Sequence, residues 1–178
     1  MPIPIRFGSL ASARWLRWIV VAVCGCLLLA GAYRLIEKAR EVRVAALRGP
    51  ADKLATQATL HLLDNDYRTF ESSMHQLKDS EITKSAAREI MCQDDEDIRK
   101  IADALREKTM LSTVSIKSLR HGRVTSQGLI PVEIDAQSSG RSAQGLEYSK
   151  TFRLKYLIGR RSTDGQLIVA KLDIQPSP

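Results

Sequence analysis

The side chains that could carry acid–base, nucleophilic or metal chemistry are few and widely spaced in this chain. The three histidines, His61, His75 and His121, are separated by fourteen and forty-six residues. The sequence contains neither HExxH nor CxxC, the short spacings that bring zinc ligands together. Cys92 is the one cysteine beyond the apolar N-terminal segment, so no intrachain disulfide is expected there. These spacings predict no metal site.

Motifs for binding phosphate or activating a nucleophile are absent as well. Neither GxGxxG, GxxxxGKS/T nor GxSxG occurs in the sequence. The basic, glycine-flanked stretch 159–165 joins two alternating segments, which favours a hairpin loop over an anion site. The acidic run 94–97 lacks the alternating ligands and central glycine of a calcium loop, and it favours a helix start. We therefore expect no cofactor.

Acid–base chemistry in an interior cavity would have to use His61 or the tyrosines Tyr67, Tyr148 and Tyr156. Tyr67 and Tyr156 fall in phase with core positions, so packing is their first explanation. A catalyst of this kind also needs a carboxylate with a shifted pKa nearby, and the predicted inward face of the strands carries none. The sequence predicts a protein that is not an enzyme.

The second half of the chain has the two-residue period of half-buried strands. Apolar residues alternate with polar ones in four segments, which predicts a four-stranded antiparallel sheet with one wet face. Pro131 cannot donate a hydrogen bond within a sheet, so it is expected at an edge, at the start of its strand or at a bulge. The four segments begin at Leu111, Ile130, Tyr148 and Ile168.

The first half has helical spacing instead. Stripes of apolar residues predict helices over 51–62, 67–77 and from Ser80 to Ile90, and a fourth after the acidic run with Ile98, Ile101, Ala102 and Leu105 on its face. Gly49-Pro50 is expected to end the preceding helix, because proline lacks an amide hydrogen and disfavours helix in the residue before it. We place the domain boundary there.

An apolar segment near the N-terminus predicts a membrane anchor. Trp18–Tyr33 contains no charged side chain and would rise about 24 Å as a helix, and apolar residues on both sides extend it to 15–36. Residues 1–14 would form a short tail and residues 37–50 a juxtamembrane helix or linker. The predicted anchor residues are Trp15, Trp18, Leu27, Leu28, Leu29 and Tyr33.

A cleaved signal peptide is the alternative, because Ala30-Gly31-Ala32 resembles a cleavage site before Tyr33. The apolar character resumes after Tyr33, which favours the uncleaved anchor. We expect the short, basic N-terminal tail to stay inside, with the C-terminal domain on the periplasmic side of the inner membrane.

The formal charge of +7 does not indicate nucleic-acid binding. Residues 37–178 hold 23 basic and 20 acidic side chains, a net charge of +3, and the alternation points aromatic side chains inward rather than toward stacked bases. Basic residues of the predicted wet face and its hairpin form a candidate patch for protein partners. They are Arg153, Lys155, Arg160, Arg161 and Lys171.

The stretch Leu62–Phe70 resembles the end of the first helix in NTF2-like, cystatin-like domains, where a leucine-rich helix ends in an acidic turn and an aromatic residue opens the next helix. The order of elements extends the resemblance over about 51–176 and implies, for a domain of residues 51–178, an α+β fold of helices followed by an antiparallel sheet. An anchor carrying such a domain is similar in layout to the inner-membrane bridging components of type IV secretion and conjugation systems.

These observations predict a non-enzymatic, membrane-anchored assembly component of a secretion or cell-envelope complex. The expected partners are the membrane and other envelope proteins, self-association is left open, and no nucleic acid is expected. The alternative is an anchored or secreted NTF2-like protein with an interior pocket for a small ligand or an isomerase-like reaction.

Overall fold

The computed structural model describes residues 10–88, 90 and 94–177. They divide into two compact units, the first ending at Ala45 and the second beginning at Ala46. Helix α1, Leu10–Leu62, supplies every described residue of the first unit, and its last turns belong to the second. All later helices and the whole sheet lie in the second unit.

The described side chains of the first unit include large apolar groups that contact solvent. Leu28 is 74% exposed, and Leu29, Tyr33, Leu35 and Ile36 are similarly exposed. Within the described residues, no helix has the combination of length and apolar character needed to cross a membrane. Residues 1–9 of the expected tail lie outside the described residues, as do the side chains of Trp15, Trp18 and Leu27.

The prediction that Gly49-Pro50 ends a helix is wrong, because α1 continues through Pro50 to Leu62. Proline inside a helix costs about 3 kcal/mol, so the continuation needs compensation. Ala51, Ala55 and Ala58 recur along one face of this stretch and are completely buried in the core. This burial, which depends on the tertiary fold, accounts for the difference from the local signal.

Three further helical elements follow the turn at Asp64–Asp66. They are α2 (Phe70–Gln76), α3 (Lys84–Ala87) and α4 (Asp95–Glu107), with a π-helical turn, Leu77–Glu81, directly after α2. The helix predicted from Ser80 to Ile90 is wrong apart from α3. Ile82 instead has extended backbone and forms a parallel bridge with Val169 of the sheet, so sheet pairing replaces helix there.

Helix α4 is defined at both ends by recognisable capping. At its start, Asp94 accepts a hydrogen bond from the Asp97 amide at 2.8 Å, which confirms that the acidic run begins a helix. At its end, the amides of Thr109 and Met110 donate to the carbonyls of Arg106 and Leu105. This is the Schellman arrangement, and it holds Thr109 at a φ of 48°, a conformation usually taken by glycine.

The predicted four-stranded antiparallel sheet is confirmed. Its strands β1 (Leu111–His121), β2 (Ile130–Arg141), β3 (Glu147–Arg160) and β4 (Leu167–Ser177) pair in chain order. Pro131 is the second residue of β2, an interior strand, so the expectation of a strand start holds and that of an edge does not. Bulges interrupt the register between Ile116 and Ser118 and between Leu157 and Ile158.

Helices cover one face of the sheet, as the alternation predicted. Ile134, Leu154, Tyr156 and Ile158 project into the same core as Leu77 and Ile98 and are almost completely buried. The opposite face of the sheet, called here the outer face, carries the intervening polar residues.

Candidate interaction surfaces

Each histidine lies near a carboxylate from a different element, and the three sites are separate. His61 Nδ1 is 2.9 Å from Glu81 Oε1, and His121 Nε2 is 3.1 Å from Asp52 Oδ1. His75 Nδ1 lies 3.9 Å from the exposed Asp95. Among the described residues no group of three histidines, cysteines or acids is placed to hold a metal ion. Cys92 lies outside the described residues.

One buried polar cluster links α1 to the sheet and the π-helical turn. Thr59 Oγ1 donates to the Ala55 carbonyl at 2.8 Å and lies 2.7 Å from the Tyr156 hydroxyl. Because the single Thr59 proton is used on Ala55, Tyr156 must donate to Thr59. Burial raises the pKa of Tyr156, and the charge of Glu81 acts in the same direction. The prediction that packing explains Tyr156 agrees with this arrangement.

Glu81 is the residue of this cluster that sequence reasoning missed. It is 5% exposed, and its Oε2 accepts no hydrogen bond from the described residues. The inward-facing carboxylate comes from the π-helical turn and not from a strand. The π-helical turn itself, a local distortion common at functional sites, left no recognised pattern in the sequence.

The space between helices and sheet, where the ligand-pocket alternative would place its site, holds large buried side chains. The side chains between helices and sheet include Tyr156, Leu154, Ile134 and Leu77, all fully buried and in mutual contact within one cluster. A well-packed interior of this kind has few voids larger than a water molecule. The 620 Å³ cavity described below opens at the end of the sheet.

The centre of the outer face is a network of opposite charges across three strands. Asp135 of β2 accepts hydrogen bonds from Ser118 at 2.8 Å, Arg120 at 2.6 Å and Arg153 at 2.9 Å. The hydrogen bonds from Arg153 and Ser118 hold the pKa of Asp135 below its usual range. Glu133 also pairs with both arginines, at 3.3 Å from each. Arg153 is therefore neutralised within its own sheet.

The structure divides the predicted basic patch into two places. Arg153, Lys155 and Lys171 lie on the outer face, where Lys155 is in register with Glu133 and Asp173. No ion pair joins Lys155 or Lys171 to another residue within the described part of the chain. Both lysines are exposed, and unlike Arg120 and Arg153 of the same face they are not held by a carboxylate within the described residues.

Arg160 and Arg161 lie instead at the β3–β4 hairpin, which confirms the loop interpretation of the stretch 159–165. Arg160 donates to the Gly165 carbonyl at 3.2 Å. Arg161 donates to the Ser80 carbonyl at 3.2 Å and lies 3.4 Å from Asp164. Both guanidinium groups thus stabilise the hairpin and its contact with the π-helical turn.

An open groove of 620 Å³ lies at the end of the sheet that is nearest the α1–α2 turn. Its walls are the first residues of β1 and β3, the last residues of β2 and the turn around Asp66 and Arg68. Arg68 holds Asp66 through two side-chain hydrogen bonds, at 2.9 and 2.6 Å, and this hydrogen bonding keeps the pKa of Asp66 below its usual range. The lining residues are Asp66, Arg68, Leu111, Ser112, Thr113, Ser139, Gly140, Arg141, Glu147, Tyr148 and Ser149.

Gly140 shapes this groove. A Cβ at this position would meet Cε1 of Tyr148 and come within 2.8 Å of the Leu111 carbonyl oxygen. The absence of a side chain lets the Tyr148 ring lie against the backbone of β2, where its hydroxyl is 3.3 Å from Ser138 Oγ. Gly140 lies within β2, one residue before its end.

Solved structures resemble this fold, among them the following two. A periplasmic fragment of TraM matches with a TM-score of 0.56 and 12% identity, over 73% of this chain and 98% of that one. An IcmL-like type IV secretion system protein from Legionella pneumophila matches with a TM-score of 0.54 and 10% identity, over 74% and 94% of the two chains. No protein-family model matches the sequence, and no curated protein matches it.

These likenesses define the class of fold. The domain has the same α+β fold as the periplasmic fragment of TraM and the IcmL-like type IV secretion system protein, in line with the NTF2-like resemblance that the sequence suggested. At 10–12% identity they establish the architecture and assign no role to individual residues of this chain.

Proposed function

We propose that this protein is a non-enzymatic assembly component of a secretion or cell-envelope complex. Its N-terminal helix anchors it in the inner membrane, and its NTF2-like domain faces the periplasm and binds envelope proteins. The observation that carries the proposal is the fold, which it has in common with TraM's periplasmic fragment and the IcmL-like secretion protein.

The anchor is supported by the chemistry of the first unit. Trp18–Tyr33 has no charged side chain, and the described side chains of Leu28, Leu29 and Tyr33 are exposed. Exposed apolar groups of this size are costly in water and favourable in lipid. Basic residues in the preceding tail support an inside N-terminus.

The lysines Lys155 and Lys171 support a docking role for the outer face. They project from adjacent strands beside the neutralised network around Asp135, so the unpaired charge of this region is positive. Tethering to the membrane raises the effective concentration of the domain near its partners, so each contact can be weak. Arg153, Arg160 and Arg161 would then act by holding the surface in shape.

Fractionation with protease protection tests the anchor and its orientation. Full-length protein should stay with the inner membrane after carbonate extraction, and protease should remove the domain in spheroplasts without detergent. Intact-mass measurement reports whether the chain is cleaved after Ala32. Full-length protein in the soluble fraction would refute the anchor.

Charge reversal tests the docking role. Lys155→Glu with Lys171→Glu should reduce co-purification of envelope proteins without lowering the melting temperature. Arg99→Glu, at an exposed position of α4, is the matched control and should leave co-purification unchanged. If the wild type, the double lysine variant and Arg99→Glu co-purified envelope proteins equally, the two lysines would be rejected as a docking site.

A further inference from the structure

The two margins of the sheet differ in how their backbone is covered. At the β4 margin, the Thr83 amide donates to the Val169 carbonyl at 2.9 Å, and the Thr83 hydroxyl donates to the Ala170 carbonyl at 3.2 Å. Ile82 completes this cover with its parallel bridge to Val169. Further along β4, Pro176 has no amide hydrogen to offer a neighbour.

Among the described residues, the β1 margin is covered only at its start. The Tyr67 amide donates to the Met110 carbonyl at 2.9 Å, and the Asn65 amide donates to Ser112 Oγ at 2.9 Å. From Thr113 to Ile116 the strand pairs with β2, and no backbone hydrogen bond joins its other side to a residue in the described part of the chain. The bulge at Lys117 ends this short open stretch.

The groove opens at the start of this open stretch, so the two form one continuous surface. Leu111, 40% exposed, and the ring of Tyr148 give it an apolar floor. Ser112, Thr113 and Ser139 add hydroxyl groups. A backbone margin beside a groove with both apolar and polar walls is the arrangement that binds an extended peptide by strand addition.

The charges around this surface favour carboxylates in the ligand. Arg141 lines the groove, Lys108 is exposed at the end of α4 three residues before β1, and Lys117 is exposed at the bulge that ends the open stretch. Within the described residues none of these three cations forms an ion pair. Against them stands Glu147, which is in register with Arg141, while Asp66 is already held by Arg68. The free charge is therefore positive.

We propose that the groove and the open stretch of β1, Thr113–Ile116, bind an extended, carboxylate-bearing segment of a partner protein as an added strand. The segment would pair with the β1 backbone, place an apolar side chain against Leu111 and Tyr148, and direct a carboxylate to Arg141. This inference rests on the proposed function, since it names the partner chemistry of an assembly protein.

Fluorescence anisotropy with two labelled heptapeptides tests the proposal on the full-length protein in detergent. The acidic probe is Thr-Glu-Val-Glu-Val-Glu-Thr, and the basic probe has lysine in place of each glutamate. The acidic probe should bind about ten-fold more tightly or better, because like charges repel at the cationic rim. Equal affinity for the two probes, or binding of neither, overturns the proposal.

Two comparisons separate strand addition from general charge attraction. Methylation of alternate backbone nitrogens of the acidic probe should abolish binding, since it removes the donors that pair with β1. Arg141→Glu should weaken binding of the acidic probe about ten-fold, whereas Arg99→Glu should not change it. An unchanged affinity of the methylated probe, or equal loss in both variants, contradicts the proposal.

A second copy of this chain is the competing occupant of the β1 margin. Sedimentation showing two chains per particle, together with a Ser115→Cys crosslink between copies and no probe binding, would replace the proposed partner with self-association. The probe measurements are independent of the fractionation and co-purification experiments. Failure of probe binding alone therefore rejects this inference and leaves the proposed function standing.

Discussion

Tyr156 and Thr59 join the sheet to α1 through a directed hydrogen bond: the phenol donates to the threonine hydroxyl, which donates to the Ala55 carbonyl. Both side chains are almost completely buried. Removing the Thr59 hydroxyl leaves the buried Tyr156 hydroxyl without an acceptor, whereas removing the Tyr156 hydroxyl leaves Thr59 bonded to Ala55. The two residues are therefore not equivalent.

Thr59→Val should destabilise the domain more than Tyr156→Phe. The valine leaves the Tyr156 hydroxyl unpaired in the core, at a cost of about 1–3 kcal/mol, whereas the phenylalanine leaves Thr59 bonded to Ala55 and costs about 1 kcal/mol. Urea denaturation followed by circular dichroism measures both, since Trp15 and Trp18 lie outside the domain and tryptophan fluorescence would not report on it. Thr113→Val, at an exposed position, is the control. The reverse order of stabilities would contradict the assigned hydrogen-bond direction.

Stability should decline at alkaline pH because of Tyr156. Its folded pKa is raised above the ordinary value of about 10, chiefly by burial. Because the folded pKa is raised, the contribution of Tyr156 to the free energy of unfolding is complete below the unfolded pKa and is lost as pH rises through the folded pKa. Urea midpoints measured from pH 9 upward (about one unit below the ordinary tyrosine pKa) should therefore fall less steeply for Tyr156→Phe than for the wild type. Tyr33→Phe, in the first unit, should follow the wild type.

The network on the outer face should make the domain sensitive to acid. The folded pKa of Asp135 is lowered by Arg153 and Ser118, so its contribution is present above the unfolded pKa of about 4 and is lost as pH falls through the folded pKa. Asp135→Asn should flatten the decline of the melting temperature between neutral pH and the region below about pH 4. Asp79→Asn, at an exposed position, serves as control; a profile unchanged by Asp135→Asn would show that the network contributes nothing.

Thr109→Gly should raise stability. A non-glycine residue pays about 1–2 kcal/mol in the left-handed conformation, part of which glycine loses again through its freer unfolded chain. We expect a net gain of about 0.5–1 kcal/mol in the free energy of unfolding. Thr163→Gly is the matched control. Among the described residues Thr109 is the non-glycine residue with positive φ, so Thr163 has no left-handed backbone for glycine to relieve. A loss of stability in Thr109→Gly would show that its side chain makes a compensating contact.

Substitution by alanine should change the stability of the domain in opposite directions at two glycines. Gly140→Ala places a methyl group against Tyr148 and the Leu111 carbonyl, and overpacking of this kind costs about 1–3 kcal/mol. Gly49→Ala, within α1, meets no atom within 4 Å and should gain about 0.5–1 kcal/mol of helix propensity. Melting temperatures of the two variants provide the comparison, and equal shifts would argue against the close approach at Gly140.

Local periodicity predicted the elements that are amphipathic on their own. The four strands and α4 follow from alternating or helical spacing, because each must bury one face. Three other features depend on contacts with distant residues. They are the continuation of α1 through Pro50, the extended backbone at Ile82 and the burial of Glu81. His61 is twenty residues before Glu81 in sequence, and Val169 is far beyond Ile82, so no local window contains both partners.

The candidate surfaces show the same division between local and distant information. The sequence placed Arg153 and Lys155 on the wet face, since two-residue alternation decides the side of a strand. The neutralisation of Arg153 by Asp135 depends on the register between β2 and β3, which the sequence did not specify. The groove likewise depends on the register of β2 and β3, which brings Gly140 and Tyr148 together. The apolar residues of the first unit, in contrast, could be recognised from the local sequence alone.

The contact of Ile82 and Thr83 with β4 limits how copies of this domain could polymerise. A β-sheet that accepts neighbours on both sides can propagate without end, which is how fibrils grow. Here the stretch at Val169 and Ala170 is already occupied by the chain itself. A strand from a second copy therefore cannot pair with β4 at this stretch.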